Sequence, residues 1–353
     1  MGKPIIFKES KNTNKDLEKL KKENKIWKVI DIYERQLTEL FEISNPHLIN
    51  SRSFKQKQKD YVKKRMKGNK NFLGNWIYFP WNGVLLHSVK ENELFQLKTN
   101  RNKNLITDVE QKRLYDSCIG ILGLSVGSGL AIGLSYQGIA KKLKLAEFDN
   151  LETTNLNRIP AGLYQIGMKK IEIAMQKIYE INPYAEIHPF DKGLTKEYLS
   201  EFVHSNPKPR VIFEIIDDFE MKVLVRMEAR KAGIPVITFA NLGDSLLADV
   251  DRYDLDKNLP FFNGLLGDFP EEILDKPDED KNKYAVKMVG IENVPPRAME
   301  SVKEIGKSLV GRPQLSSTVA MSAALGVFVT RKIILDENLP SGRSKVTFEN
   351  FFK

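Results

Sequence analysis

The fold of this chain is organised around residues 117–149, SCIGILGLSVGSGLAIGLSYQGIAKKLKLAEFD. An apolar run over Cys118–Leu122 predicts a buried strand, and small residues over 123–129 predict a turn that leads into a helix over 130–139. A second strand over 144–146 then ends on acidic residues. This order is the layout of a nucleotide-binding βαβ unit, in which free backbone N–H groups and the helix dipole attract a phosphate.

The glycine turn matches the usual G-x-G-x-x-G pattern only in part. Ser125 replaces the second glycine, and the third glycine is out of register. A tight turn that binds no ligand therefore stays open as an alternative. The acids that follow, Glu147 and Asp149, lie at the distance where a carboxylate hydrogen-bonds a ribose hydroxyl.

Strands and helices alternate over residues 118–240, which predicts an α/β fold with a doubly wound, mostly parallel sheet. Ligands of such sheets bind at the carboxyl ends of the strands, where Glu147, Asp149 and Asp217 fall. The further elements expected here are helices over 167–183, 194–203 and 221–231 and strands over 185–188, 211–216 and 235–239.

The residues before this sheet predict an α+β extension. Apolar spacing over 9–45 predicts one helix, and a basic helix follows over 51–70. Asn82-Gly83 between two apolar and aromatic runs predicts a hairpin over 72–90, with its aromatic residues in the core. A polar loop should follow from residue 91, and a capping-box spacing at 107–110 predicts a helix start.

The residues after the sheet predict a less regular region. Residues 241–295 have the composition of an irregular insertion, with an acidic run over 275–280. Helices are expected over 297–307 and 316–335, and a strand over 344–352. We expect three segments: an N-terminal extension (1–100), a nucleotide-binding domain (101–250), and an insertion with helices that complete that domain (251–353).

Charge and composition narrow the function classes. The net charge is +9, and residues 51–70 hold nine Lys or Arg and one Asp, so almost all of the excess lies in one segment. A solvated helix face explains this charge, and contact with a polyanion or membrane surface stays open. We expect no nucleic-acid partner, no segment of membrane-spanning length, no signal peptide and a cytoplasmic location.

The sequence contains one cysteine, Cys118. A single cysteine excludes an internal disulfide and a zinc cage built from cysteines.

Beyond the βαβ unit, short motifs follow in a specific order and spacing. With them the chain resembles the ThiF-type adenylyltransferase family, which includes ubiquitin-activating enzymes and bacterial enzymes that activate sulfur-carrier proteins. The matching pieces are GLSVGS at 123–128, EFD at 147–149, TNLNR at 154–158, GMKK at 167–170, INP at 181–183 and IIDD at 215–218.

The resemblance implies a Rossmann-like fold of the ThiF type and a site for ATP and Mg²⁺. Glu147 would bind the ribose hydroxyls, and Asp217 would coordinate the metal. Catalysis would use Arg158, Lys170 and Asp217. The residues implied in nucleotide binding are Gly123, Ser125, Gly127, Ser128, Glu147, Asp149, Asn155, Arg158, Lys170 and Asp218.

The resemblance also implies a reaction and partners. The chain would adenylate a carboxylate, the C-terminus of a peptide or small carrier protein, and release pyrophosphate. Cys118 lies in the first strand and not after the catalytic aspartate, so no enzyme thioester is expected. The two CxxC pairs that bind zinc in the family are also missing. A homodimer is possible in this family, and Arg101 is a candidate to complete a neighbouring subunit's site.

Two other functions stay open: a non-catalytic module that binds a nucleotide or acts as a scaffold, and a dinucleotide-dependent oxidoreductase. Lys170 and Asp217 separate them, because hydride transfer needs no lysine and magnesium pair. The acceptor and the step after adenylation stay unassigned.

Overall fold

Two sheets organise the chain, which a computed structural model describes over residues 2–8, 13–23, 25–70, 73–267, 274, 284 and 287–348. The sheets belong to two units. The first comprises Met1–Gln111, Tyr136–Gly138 and Ile178–Tyr184, and the second comprises Lys112–Ser135, Ile139–Lys177 and Ala185–Lys353. The three segments expected from the sequence stay a prediction.

The first unit contains a four-stranded sheet in the order β1-β3-β4-β2, counted over the described residues. Strands β3 and β4 form the antiparallel hairpin predicted around Asn82-Gly83. The elements are β1 (Ile5–Lys8), α1 (Thr13–Lys22), β2 (Lys28–Asp31), α2 (Tyr33–Ser44), α3 (Phe54–Arg65), β3 (Asn75–Phe79), β4 (Val84–Ser88) and α4 (Glu91–Thr99).

Every residue of β3 is buried, which places its aromatic side chains in the core as predicted. Trp76 and Tyr78 pack with Leu17 and Leu20 of α1 and with Leu85 of β4. Burial of large aromatic side chains contributes strongly to stability, so this hairpin anchors the first unit.

Two predictions for this region were wrong. The helix expected over 9–45 is interrupted by β2, because residues 28–31 pair in parallel with 84–87 of β4. The spacing of Ile26, Val29 and Ile32 suits a helix, and tertiary pairing overrides that preference. The polar loop expected from residue 91 instead begins with α4.

Another helix begins where the capping-box spacing predicts. In α5 (Asp108–Asp116), the Glu110 N–H donates to Thr107 Oγ1 at 3.3 Å, and the Thr107 N–H donates to Glu110 Oε2 at 2.8 Å. These two bonds satisfy N–H groups that a helix start leaves without partners.

The second unit contains a seven-stranded sheet of described residues in the order β11-β10-β9-β8-β5-β6-β7. The run from β7 to β9 is parallel, and β10 and β11 extend it antiparallel. The elements are β5 (Cys118–Leu122), α6 (Gly127–Tyr136), β6 (Lys142–Ala146), α7 (Lys170–Ile181), β7 (Glu186–Phe190), α8 (Lys196–His204), β8 (Val211–Glu214), α9 (Phe219–Ala232), β9 (Val236–Leu242), β10 (Ser245–Asp251), α10 (Pro296–Lys303), α11 (Ser316–Ile334) and β11 (Gly342–Thr347).

This topology confirms the doubly wound, mostly parallel α/β sheet. Strand β5 lies between β6 and β8, and the chain leaves β5 toward one side of the sheet and later returns to the other. Such a switch of direction opens a crevice at the carboxyl ends of the central strands. The fold therefore places the ends of β5, β6 and β8 together.

The start of the region expected to be an irregular insertion is a hairpin. Residues 236–242 pair antiparallel with 245–251 across a turn at Gly243-Asp244, where Gly243 has φ +61°. A glycine followed by aspartate between two apolar runs is a hairpin signal that the sequence carried. The acidic run over 275–280 lies outside the described residues.

Helix α11 corrects the expectation that no segment reaches membrane-spanning length. It is the one described helix that is long and apolar enough to do so by length and composition, with 19 residues. Half of the most apolar 18-residue stretch of this helix is buried in the protein. A Cβ on Gly326 of α11 would lie 2.7 Å from Leu130 Cδ1 of α6 and 3.2 Å from Phe239 Cε2 of β9. This close packing is expected of a helix in the core of a protein.

Candidate active site

A cleft of about 270 Å³ opens at the carboxyl ends of β5, β6 and β8. Six of the residues predicted to form the site line it: Gly123, Ser125, Glu147, Asp149, Asp217 and Asp218. Its remaining walls include Phe148, Leu194 and Met221, so acidic groups and apolar surface share the same cavity. This mixture suits a ligand with a flat apolar ring and polar substituents.

The turn after β5 requires glycine at two positions. Gly123 has φ +85°, and a Cβ there would lie 2.2 Å from the Ile215 carbonyl oxygen. A Cβ on Gly127 would lie 2.7 Å from Ile121 Cγ2. Both glycines thus hold the start of α6 against the strands, and the first N–H groups of that helix have no partner within the helix.

Ser128 follows in the first turn of α6 and is 3% exposed. Its Oγ is buried and has no hydrogen-bond partner among the described residues. Buried hydroxyl groups are almost always paired, with protein or with ordered water, so Ser128 Oγ has capacity for an acceptor outside the chain. A phosphate oxygen meets that requirement.

The two acids after β6 have different environments. Glu147 is 6% exposed, and its Oε2 accepts the Leu124 N–H at 2.8 Å. Its Oε1 accepts the N–H groups of Phe148 and Asp149 at 2.9 and 3.0 Å. Glu147 therefore ties the glycine turn to the end of β6, and both of its oxygens are already engaged.

Asp149 has the freer carboxylate. Its side chain is 46% exposed, and its Oδ2 lies 2.8 Å from Nζ of Lys170, which is 7% exposed. The Lys170 N–H also donates to the Asp149 carbonyl at 2.9 Å. This pair joins the start of α7 to the cleft, although Lys170 itself does not line it.

The TNLNR loop over 154–158 forms a short turn beside this region. Asn155 Oδ1 accepts the Glu152 N–H at 3.1 Å, so this side chain stabilises the loop. Arg158 Nη1 donates to the Asn157 side chain at 2.9 Å, and Arg158 Nε is buried with no partner among the described residues. Burial lowers the pKa of Arg158, because the partly buried guanidinium loses hydration that favours its charged form.

The acids after β8 also divide into two roles. Asp218 is the N-cap of α9, and its Oδ1 accepts the Met221 N–H at 2.9 Å. Asp217 is 87% exposed at the rim of the cleft and is paired with Arg312. Arg312 was not among the residues expected in the site, because it lies 95 positions further along the chain.

Few side chains at this site are candidate ligands for Mg²⁺. No three His, Cys, Asp or Glu side chains in the described parts of the chain form a metal cage. Mg²⁺ is commonly held by one or two carboxylates together with substrate phosphates, so the exposed carboxylate of Asp217 fits that mode of binding. Asp218 fits less well because it caps a helix.

A buried ionic network supports the strand that leads into Asp217. Glu214 and Arg226 are both 0% exposed, and Arg226 Nη1 lies 2.8 Å from Glu214 Oε2. Arg226 Nε also donates to Asp251 at 2.9 Å, and Lys222 lies 2.6 Å from Glu214 Oε1. A glutamate that ends an apolar strand, VIFE, was the sequence signal for this network.

Cys118 lies within β5 and is 3% exposed. Burial raises the pKa of Cys118 to about 12, since the thiolate would lose its hydration in the sheet. Thiolate is the nucleophilic form of cysteine, so this side chain has the properties of a small apolar core residue.

Comparison with known proteins identifies the class to which this fold and site belong. The model of the ThiF family matches residues 98–343, well over half of the chain. The chain therefore belongs to the ThiF family, as the motifs predicted.

Two relatives illustrate the range of this similarity. The chain is 34% identical over 272 residues to the uncharacterized protein MT1398 of Mycobacterium tuberculosis (strain CDC 1551 / Oshkosh), covering 77% of this chain but 37% of that relative. It is 25% identical over 207 residues to the molybdopterin-synthase adenylyltransferase of Haemophilus influenzae, covering 57% of this chain and 81% of that enzyme. Other relatives are tRNA threonylcarbamoyladenosine dehydratases, so the family includes both adenylyltransferases and dehydratases.

A solved structure supports the fold. The crystal structure of PaaA aligns with a TM-score of 0.53 at 17% identity, covering 87% of this chain and 92% of that one.

Proposed function

We propose that this chain is an ATP- and Mg²⁺-dependent adenylyltransferase that activates the C-terminal carboxylate of a peptide or small carrier protein. The proposal depends on two buried polar atoms, Ser128 Oγ and Arg158 Nε, that have no hydrogen-bond partner among the described residues. They belong to a unit whose cleft contains Asp149 and Asp217. One group is a hydroxyl at a helix start and the other belongs to a cation, and both suit phosphate oxygens.

Two carboxylates, Asp149 and Asp217, have separate roles in binding MgATP. Asp149, rather than Glu147, binds the ribose hydroxyls, because the oxygens of Glu147 already accept three backbone N–H groups. Asp217 would hold magnesium, which when bound supplies positive charge to the phosphate oxygens.

The two cations act on the reacting phosphate. A carboxylate oxygen of the acceptor attacks the α-phosphorus, the bond from that phosphorus to the bridging oxygen breaks, and pyrophosphate leaves. Negative charge spreads over the phosphate oxygens during this transfer, so cations held in place lower the barrier. Arg158 offers a planar fork of donors, and Lys170, held by Asp149, offers a point charge.

The proposed reaction ends without an enzyme thioester. Cys118 is buried in β5 with its pKa raised by burial, so it supplies no thiolate to attack an acyl-adenylate. The acyl-adenylate is instead released to an external nucleophile.

The first experiment is isothermal titration calorimetry of the purified chain with MgATP and, separately, with NAD. We expect binding of MgATP and a clear preference for it over NAD. Binding of NAD without binding of ATP would overturn the proposal in favour of an oxidoreductase.

The second experiment measures exchange of labelled pyrophosphate into ATP with a synthetic peptide that ends in Gly-Gly. The same peptide with an amidated C-terminus is the matched control, because it lacks the reacting oxygen. We expect exchange with the free peptide alone. MgATP binding without exchange for this peptide or for candidate carrier proteins would favour the non-catalytic nucleotide-binding module.

A further inference from the structure

The segment Gly311–Leu315, which directly precedes α11, connects two separate parts of the proposed site. At one end Arg312 pairs with Asp217 at the rim of the cleft. At the other end the Gln314 carbonyl accepts the Asn157 side-chain amide at 2.8 Å, next to Arg158. Arg312 is therefore held between the carboxylate proposed for the metal and the loop proposed for phosphate.

The pair between Arg312 and Asp217 is well suited to exchange its partner. The side chains are 59% and 87% exposed, so water solvates both ions whether or not they touch. Exposed ion pairs of this kind contribute little to stability, and separating them costs little. The buried pairs of Glu214 in the same unit have no such freedom.

A guanidinium at this position has a better partner in a polyphosphate. Its planar fork matches two phosphate oxygens, and charge-assisted bonds to phosphate are among the strongest hydrogen bonds of proteins. Arg158 Nε is buried without a partner among the described residues, so it is a second donor for a phosphate oxygen. The two segments that contain Arg312 and Arg158 are in contact, because the Asn157 amide donates to the Gln314 carbonyl.

The position of Arg312 also indicates which phosphates it reaches. Asp149, proposed for the ribose, lines the cleft, whereas Arg312 lies outside it and is paired with a carboxylate at the exposed rim. Because the β- and γ-phosphates are furthest from the ribose, they are the groups that extend toward the rim.

We propose that Arg312 binds the β- and γ-phosphates of ATP, and that it pairs with Asp217 only while the nucleotide is absent. This inference rests on the proposed adenylyltransferase function and adds a residue to the same site. Arg312 would stabilise the pyrophosphate leaving group, and its departure would free the carboxylate of Asp217.

The test compares nucleotides that contain these phosphates with one that lacks them. Calorimetry would measure the affinities of the wild type and Arg312→Ala for MgATP, inorganic pyrophosphate and AMP. We expect Arg312→Ala to weaken ATP and pyrophosphate by about tenfold or more, the loss typical of a charged hydrogen bond. AMP affinity should stay within about twofold, since AMP makes no contact with Arg312.

Two further variants sharpen the test. Arg297→Ala, in exposed helix α10 of the same unit, is the control for loss of a surface arginine and should bind all three compounds normally. Arg312→Lys keeps the charge without the fork and should restore part of the affinity for ATP.

The remaining outcomes distinguish failure of this inference from failure of the proposed function. Unchanged ATP affinity in Arg312→Ala would overturn the inference and leave an ordinary surface ion pair. An equal loss for AMP and ATP would also overturn it, because Arg312 would then act through Asp217 or the fold. A wild type that binds neither ATP nor AMP would overturn the proposed function itself.

Discussion

Two sets of charged side chains in the second unit have opposite environments. Glu214, Arg226 and Asp251 are 0% exposed, and Arg226 pairs with both carboxylates. Asp217 and Arg312 lie at the rim of the cleft, largely in water, with each other as partner. Only two residues of the chain, Ile215 and Ile216, separate Glu214 from Asp217.

Burial and pairing determine which of these charges are available to a ligand. The oxygens of Glu214 accept from Lys222, Arg226, Thr238 and the Ile216 N–H, so this carboxylate has no capacity left. Burial would lower the pKa of Arg226, but the carboxylates of Asp251 and Glu214 raise it and keep the guanidinium charged. The buried set thus fixes the end of β8, and the exposed set is free to exchange partners.

The largest expected effect follows from breaking the buried set. Arg226→Ala leaves Glu214 and Asp251 buried without their cation, which typically costs about 3–5 kcal/mol. That is a large part of the stability of an ordinary domain. Urea unfolding followed by far-UV circular dichroism measures the loss.

The matched control for Arg226→Ala is Lys231→Ala on the same helix. Lys231 is 65% exposed and pairs with Glu228 at 2.7 Å, so its loss should change the free energy of unfolding by less than about 1 kcal/mol. Equal losses in the two variants would show that burial does not separate these ion pairs.

The next effect concerns the charges proposed to act on the phosphate. Lys170→Ala and Asp217→Ala should each lower adenylation by ~10²-fold or more, as removal of one preorganised electrostatic group does. Pyrophosphate exchange measures the rate once an acceptor is known. Lys169→Ala is the control, because the adjacent Lys169 is 43% exposed and pairs with Asp191 instead. Near wild-type rates in both active-site variants would make Lys170 and Asp217 structural residues.

The sequence predicted well the local elements that surround this cleft. Strand Cys118–Leu122 has the predicted bounds, because five buried apolar residues before a glycine turn allow few other structures. The positions at the carboxyl ends of β5, β6 and β8 followed from the alternation of elements alone.

Contacts between distant residues could not be predicted in the same way. Glu147 and Asp149 are both acids after one strand, and only the folded turn shows that Glu147 is engaged by the backbone. Arg312 meets Asp217 across 95 residues, and no pattern in the sequence relates them. The helix expected over 9–45 failed because pairing of β2 with β4 is likewise non-local.

A third ionic cluster, in the first unit, has an exposure between those of the two sets. Asp31 is 28% exposed and is paired with Lys70 and with His87 Nδ1, whose ring stacks between Tyr33 and Trp76. Burial would raise the pKa of Asp31, but hydrogen bonds from Lys70 and His87 outweigh it, and the pKa is lowered from its ordinary value of 3.8. A carboxyl with a lowered pKa stabilises the fold above pH 3.8, and this stability is lost as the pH falls further.

The substitution Asp31→Asn tests this intermediate case. It should lower the free energy of unfolding by about 1 kcal/mol at pH 6, and the gap from the wild type should close as the pH falls below 3.8. The three tryptophans, Trp27, Trp76 and Trp81, all lie in the first unit, so their fluorescence during urea unfolding reports on that unit. A gap that persists unchanged at pH 3 would mean that the charge of Asp31 contributes nothing.

The smallest expected effect concerns the buried thiol of Cys118. Its thiol is 3% exposed in the middle of the parallel sheet, and burial raises its pKa to about 12. At neutral pH such a thiol supplies almost no thiolate, so a thiol reagent such as DTNB should label it only after urea unfolding. Cys118→Ala should keep the wild-type rate of pyrophosphate exchange and form the same final product, with at most a modest loss of stability from the small cavity. A thiol-sensitive covalent adduct between the native chain and its carrier, absent from Cys118→Ala, would contradict this prediction. It would show that the sheet opens to expose Cys118, and it would replace direct release of the acyl-adenylate with a thioester relay.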